Sequence, residues 1–182
     1  MHQSNIIHRD LKPQNILVAS LEPGSAVVAK ISDFGTVRDF VSVRGSKRLT
    51  MRRQVDVSNA SLHDSMTRGV GTTAYMSPEI LKAAKYDKPS DVYSFSMIIY
   101  YLCTGLEPYS ELKDVPAWQF TKRVAEGARP SIPADCESKG YGALIEIMRR
   151  CWNQNPSLRP SLYHSVYFLC TVYFFQLCVG VK

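Results

Sequence analysis

Hydrophobic positions fall into two regimes along the chain. Up to residue 31 they come in short runs: Ile6-Ile7, Ile16-Leu17-Val18 and the β-branched stretch Val27-Val28-Ala29-Lys30-Ile31. Runs of this length and composition read as strands. Leu21-Glu22-Pro23-Gly24-Ser25 lies between the last two and carries turn residues, which predicts a β-hairpin. From residue 36 to 70 periodicity gives way to Ser, Thr, Arg and Lys, the pattern of a loop. A loop that long in a compact domain is usually functional or disordered. Helical spacing takes over from Pro89. Pro89-Ser90-Asp91 is a start signal, Val92 to Cys103 follows, and Gly105 supplies the stop. That run is apolar on most faces, as a buried central helix requires. Pro116 to Gly127 again has proline at its start and glycine at its end. Tyr141 to Trp152 puts Leu144, Ile145, Ile147, Met148 and Cys151 on one stripe, with Glu146, Arg149 and Arg150 outside it. The fold class expected is mainly α with a small β-hairpin element near the start.

Composition bounds the function more than it defines it. The 182 residues are 45% apolar and 21% charged, enough for one domain with a real core. Net charge is +6, which permits anionic partners and gives no reason to expect nucleic acid. Seven basic residues stand against three acidic ones between 36 and 70, so most of the excess sits in that loop. Five cysteines, an odd number without a C-x-x-C pair, argue against a zinc site or a disulfide scaffold. Reduced thiols in a cytoplasmic protein are expected. Met1-His2-Gln3-Ser4-Asn5 is polar where a signal peptide would be apolar.

Chemistry concentrates near the start. His8-Arg9-Asp10-Leu11-Lys12-Pro13-Gln14-Asn15 fits H-R-D-x-x-x-x-N, and Asp33-Phe34-Gly35 follows directly after the third strand. Ser77-Pro78-Glu79 stands close to A-P-E and is preceded by Gly71-Thr72. In order, spacing and strand context this set resembles the protein kinase family. The resemblance runs from about residue 1 to Leu162. Gly105-Leu106-Glu107-Pro108-Tyr109 and Cys151-Trp152 through Arg159-Pro160 resemble the tyrosine-kinase-like group, whose members mostly phosphorylate serine and threonine.

The resemblance implies a protein kinase-like fold and a serine/threonine kinase that works on protein substrates with ATP and Mg²⁺. Phosphoryl transfer asks a protein for positioning and charge neutralisation. Asp10 would accept or orient the proton of the attacking hydroxyl. Asn15 and Asp33 offer the hard oxygen ligands that magnesium selects. Lys12 would reach the γ-phosphate, and a lysine there accompanies serine/threonine specificity. Thr72 would bridge Asp10 and Lys12, Leu17 would form part of the adenine floor, and Gly35 would free the backbone where the loop departs. Asp91 would hold the catalytic-loop backbone, with a plain helix N-cap as its other reading. Glu79 and Arg159 would form a buried ion pair tying the activation segment to the base of the lobe. A phosphate on the basic loop would pair with Arg9; Ser61, Ser65, Thr67 and Thr73 are candidate acceptors, Thr67 the first choice. Gly69 to Ala74 and Val27 to Lys30 mimic phosphate-binding motifs but lie in the wrong context.

Three expectations concern what surrounds this segment. Residues 1–162 read as the large lobe of a kinase domain, with the N-terminal β lobe absent from the sequence. That absence predicts little turnover from the polypeptide alone, and a catalytically inactive interaction module is the competing reading. Residues 163–182 are an apolar tail, uncharged until Lys182. It reads as a closing helix running into apolar sequence, with a membrane anchor through 163–181 as the alternative.

Overall fold

The computed structural model of the protein describes residues 1–20, 29–34, 38–39 and 73–179. Strand β1 is Ile6–Ile7, β2 Ile16–Val18, β3 Ala29–Ile31 and β4 Arg38–Asp39. β2 and β3 pair antiparallel with Ile16 opposite Ile31, the hairpin that the turn chemistry predicts. Its turn, Leu21 to Ser25, lies outside the described residues. β1 pairs with β4 instead, Ile6 opposite Asp39 and Ile7 opposite Arg38. This corrects the reading of 36–70 as loop throughout and adds a second, separate strand pair to the hairpin. Arg38-Asp39 has no apolar alternation to announce a strand; the partner backbone of β1 makes it one.

Helices fill the rest. They are α1 Pro78–Leu81, α2 Lys88–Thr104, α3 Ala117–Ala125, α4 Asp135–Ser138, α5 Gly142–Cys151 and α6 Leu162–Val179. α2 is the axis. Tyr93, Met97 and Ile98 enter one core with Leu11, Tyr75, Tyr109, Phe120 and Val124. Val92, Ile99, Tyr100 and Cys103 enter a second with Ile145, Ile147, Met148 and Cys151 of α5. One helix serving two cores explains why its sequence shows no polar face. Its serines tie neighbouring backbone: Ser94 Oγ donates to Tyr75 O at 2.8 Å. The helix also begins earlier than the sequence suggests. Asp87 is its N-cap, accepting from Lys88 N at 2.7 Å, so Asp91 lies inside the first turn and is not a cap. The predicted stop holds: Gly105 takes φ 70° and donates to Tyr101 O at 2.8 Å.

α1 ends in a two-bond turn closed without glycine. Ala84 N donates to Glu79 O and Ala83 N to Ile80 O, each at 2.9 Å, while Ala83 holds φ 59°. This is a Schellman arrangement with alanine at its left-handed position. Left-handed backbone strains a residue bearing a Cβ, and Ala83 is exposed, so nothing packs on its methyl. Ala83→Gly is expected to stabilise the fold by about 0.5–1 kcal/mol, relief of strain outweighing the added chain entropy. A urea midpoint raised at constant slope is the readout.

The closing helix α6 packs on α5 through Leu162, Phe168 and Leu169, and buried Ser165 meets the Cys151 thiol at 3.4 Å. Among the described residues no helix is long and apolar enough to cross a membrane. Burial pushes the Cys103 thiol up to about 11 and raises that of Cys151 as well. Cys103, Cys136, Cys151 and Cys170 are all unbridged.

Candidate active site

The segment from His8 to Asn15 is a loop held at both ends. At its start, Asp91 receives two backbone donors: His8 N at 2.8 Å to Oδ2 and Arg9 N at 2.9 Å to Oδ1. Asp91 is 1% exposed. These charge-assisted bonds hold Arg9 at φ 76°, a conformation that a residue with a Cβ adopts at a cost of about 1–2 kcal/mol. At its end, Pro13–Asn15 forms a single 3₁₀ turn, with proline at the first position where its missing N–H is no loss. Asn15 is 6% exposed and folds its side-chain amide back, donating to Asp10 O at 2.7 Å and to Asp10 Oδ2 at 3.1 Å.

Asp10 Oδ2 is therefore a meeting point. It also receives Lys12 Nζ at 2.7 Å, a pair about one fifth exposed on each side. One carboxylate oxygen thus collects a cation and an amide, on a side chain that is partly exposed. Among the described residues both bonds of the Asn15 side chain use Nδ2, which leaves Oδ1 with acceptor capacity. The strand leading to Asp33 is fastened to this loop. Ser32 donates to Asn15 O through N at 2.8 Å and through Oγ at 3.1 Å. His8 Nε2 lies 2.9 Å from Ser32 O; a carbonyl only accepts, so Nε2 carries the proton and Nδ1 can accept from Asp10 N at 3.4 Å. The buried His8 ring packs on Phe34 with centroids 5.2 Å apart. Asp33 stands between Ser32 and Phe34 at φ 59°, exposed.

Residues 1–168 match the protein kinase domain family. The chain belongs to the protein kinase family. Its relatives carry serine/threonine-kinase names. The "Probable serine/threonine-protein kinase gdt2" of Dictyostelium discoideum is 41% identical over 88% of this chain and 8% of its own length. The "Probable serine/threonine-protein kinase gdt4" of the same organism is 37% identical over the same shares. "Serine/threonine-protein kinase STY17" of Arabidopsis thaliana is 35% identical over 88% of the chain and 23% of its own length. The chain thus spans less than a quarter of each of these kinases.

The rest of the kinase site divides by location. Glu79 and Arg159 form a bidentate pair, Nη1 to Oε1 at 2.6 Å and Nη2 to Oε2 at 2.8 Å. The Arg159 side chain is 0% exposed and also donates to Pro89 O and Asn153 O. Burial alone would raise the Glu79 carboxyl, but hydrogen bonds and charge from Arg159 outweigh it and hold it below its ordinary value. Arg9 lies over the Tyr86 ring, 4.8 Å from its centroid, and burial raises that phenol's pKa although Arg9 opposes it. Tyr75, just before Ser77-Pro78-Glu79, donates to Glu107 Oε2 at 2.8 Å. Leu17 is 56% exposed. Thr73, one of the candidate phosphoacceptors, is buried at 6%. Thr67, Thr72, Gly35, Ser61 and Ser65 lie outside the described residues.

Two residues that contact this region escaped the reading of the sequence. His2 approaches Asp91 Oδ2 at 2.9 Å, and Tyr86 carries Arg9. Each acts across the fold on a residue far away in the chain, so local pattern holds no signal for it.

Proposed function

We propose that the chain carries the catalytic loop and metal ligands of a serine/threonine protein kinase of the tyrosine-kinase-like sort. It transfers the γ-phosphate of ATP to protein Ser/Thr hydroxyls. The observation that supports this best is the single oxygen, Asp10 Oδ2, shared by Lys12 Nζ and Asn15 Nδ2 beside a strand end that carries Asp33. Asn15 Oδ1 and the Asp33 carboxylate are hard oxygen donors that fit Mg²⁺. Magnesium at these ligands supplies charge neutralisation to the phosphates. Asp10 orients the substrate hydroxyl and takes its proton. The hydroxyl oxygen bonds to the γ-phosphorus as the bond to the β-γ bridging oxygen breaks, and ADP leaves. Lys12 lies against Asp10 and steadies the transferring phosphoryl group by charge. Leu17 would meet the adenine ring, and the role proposed for Thr72 is to brace Asp10 and Lys12. A phosphate on Thr67 would draw Arg9. Cytoplasmic placement fits unbridged thiols, with Cys103 and Cys151 both held protonated by burial.

A second reading has its own support. Val18 and Ile31 share one face of the β2–β3 pair and Leu17 lies on the other; Val18, Ile31, Leu17 and, at the strand end, Phe34 are 63, 42, 56 and 52% exposed. Exposed apolar side chains grouped in this way call for a cover, so the chain alone would bind cations and partners without turning over. Two assays on the 182-residue chain separate the readings. Mn²⁺ should broaden the Asn15 side-chain amide resonances, and Asp33→Ala should weaken that binding by at least about tenfold, an ordinary loss for a ligand set cut by one charge. Equal broadening in both proteins rejects the site. Phosphorylation of a serine peptide with Mg-ATP, reduced about 10²–10⁴-fold by Asp10→Asn, favours transfer by this segment unaided. Cation binding without turnover favours the module.

A further inference from the structure

We infer that the outer face of α6 docks a second copy of this chain, giving a weak two-fold dimer. α6 carries two apolar stripes. Leu162, Phe168 and Leu169 pack into the core shared with α5, and Ser165 is buried on the same side. On the other side Tyr163, Val166 and Tyr167 are 59, 48 and 63% exposed, and Cys170 is exposed as well. Positions 163, 166, 167 and 170 follow the i, i+3, i+4, i+7 spacing that lines one face of a helix. The exposed side chains are therefore a continuous patch, unlike single apolar residues scattered over a surface. Tyr163 and Tyr167 already stack, with ring centroids 6.4 Å apart and planes 16° from parallel, so little rotamer freedom is left to lose on contact. In the sequence the same spacing continues at Tyr173, Phe174 and Leu177.

Charge decides what this face accepts. Between Arg159 and Lys182 there is no Asp, Glu, Lys or Arg. An acidic or a basic partner finds no counter-charge on it. Helices that lie on a lipid surface carry Lys and Arg on their polar side, and α6 has neither. A second copy needs no counter-charge. Two-fold contact sets the same patch against itself, so an uncharged apolar stripe is its own complement. The chain carries a net charge of +6, which opposes association through charged surfaces, and along α6 two copies meet without facing like charges. Positions 163, 166 and 170 also alternate by three and four, the spacing of a two-helix seam. The four side chains on two copies form an interface core on the order of 700 Å². With a surrounding rim this reaches about 1,200 Å², the low end of specific interfaces, so the dimer is weak and reversible. It leaves the catalytic loop clear: α6 belongs to the second core, whereas Leu11 of the loop belongs to the first.

Sedimentation velocity on the 182-residue chain tests this. A monomer–dimer equilibrium with Kd on the order of 10–100 µM is expected, as a contact of this size implies. Val166→Glu and Tyr167→Glu each set like charges against one another across the two-fold axis and should raise Kd at least about tenfold. Both positions are exposed, so circular dichroism and the melting temperature of the monomer should match wild type. Should a glutamate variant melt early, Val166→Ser with Tyr167→Ser, which removes apolar area without adding charge, should weaken the dimer in the same direction and carries the test. Trp118→Glu is the control. Trp118 on α3 is 68% exposed and lies outside the proposed contact, so that variant should dimerise like wild type. A chain that stays monomeric across this concentration range overturns the inference, as does a dimer that ignores both glutamates or responds equally to Trp118→Glu. Monomeric chain that floats with phosphatidylcholine vesicles, and fails to do so as Val166→Glu, would assign the face to lipid and overturn it too.

Discussion

Arg159→Met is expected to destabilise the chain by about 3–5 kcal/mol, lowering its melting temperature by about 6–20 °C. The Arg159 side chain is fully buried and shares both its terminal nitrogens with Glu79. Removing it leaves the half-buried Glu79 carboxylate without the cation that keeps it ionised, along with two carbonyls, Pro89 O and Asn153 O, that lose their donor. The energy lost is thus mainly the penalty of the orphaned partners. It follows that Glu79→Leu combined with Arg159→Met should cost less than the sum of the two single changes, and a double-mutant cycle in urea measures the difference. An additive cycle would show the two residues to be independent.

The same pair gives a pH dependence of definite sign. Arg159 holds the Glu79 carboxyl below its ordinary value of 4.5 in the folded protein. A lowered folded pKa means the stabilisation is fully present above the unfolded value. It fades as pH falls through the folded one. Wild-type stability should therefore decline below about pH 4.5, and Glu79→Gln, already weaker at neutral pH, should lose less over that window. Equal slopes for the two proteins between pH 5 and 3 would contradict the assignment.

Asp91→Ala should be comparably severe, again about 3–5 kcal/mol, because the buried His8 N–H and the part-buried Arg9 N–H lose their acceptor together. His8 is 0% exposed, so water cannot readily replace the bond at its amide. Arg9 would also lose one of the contacts that hold its left-handed backbone. Asp91→Asn keeps one acceptor and turns an NH₂ toward a second donor, so an intermediate loss is expected. Urea midpoints at neutral pH give the order: wild type, Asn, Ala. An alanine variant as stable as wild type would mean that the loop holds its shape without α2. The expected loss is a large fraction of the about 5–15 kcal/mol that keeps a domain folded.

Much of the candidate site was legible because its chemistry needs particular residue types close together in the chain. Asp10, Lys12 and Asn15 fall within one short loop, and a turn of that length can bring a cation and an amide to one carboxylate oxygen. The two-core role of α2 was legible too, since a helix without a polar face has nowhere to go but inside. Caps were less so. Asp87 and Asp91 are both acidic residues two positions from Pro89, and only the register of α2 decides which one caps it and which reaches the loop. The left-handed turn at Ala83 shows no glycine to announce it.

What the sequence determined by itself was a helical domain with a β-hairpin and a short loop in the H-R-D-x-x-x-x-N pattern of the kinase family, because periodicity and motif spacing are properties of neighbours in the chain. The tertiary structure alone decided that Arg38–Asp39 pairs with Ile6–Ile7, that His2 joins Asp91 and that Arg9 rests on Tyr86. Each of these contacts joins residues about 30 to 90 positions apart, and long-range contacts depend on how the helices pack, which no local pattern encodes.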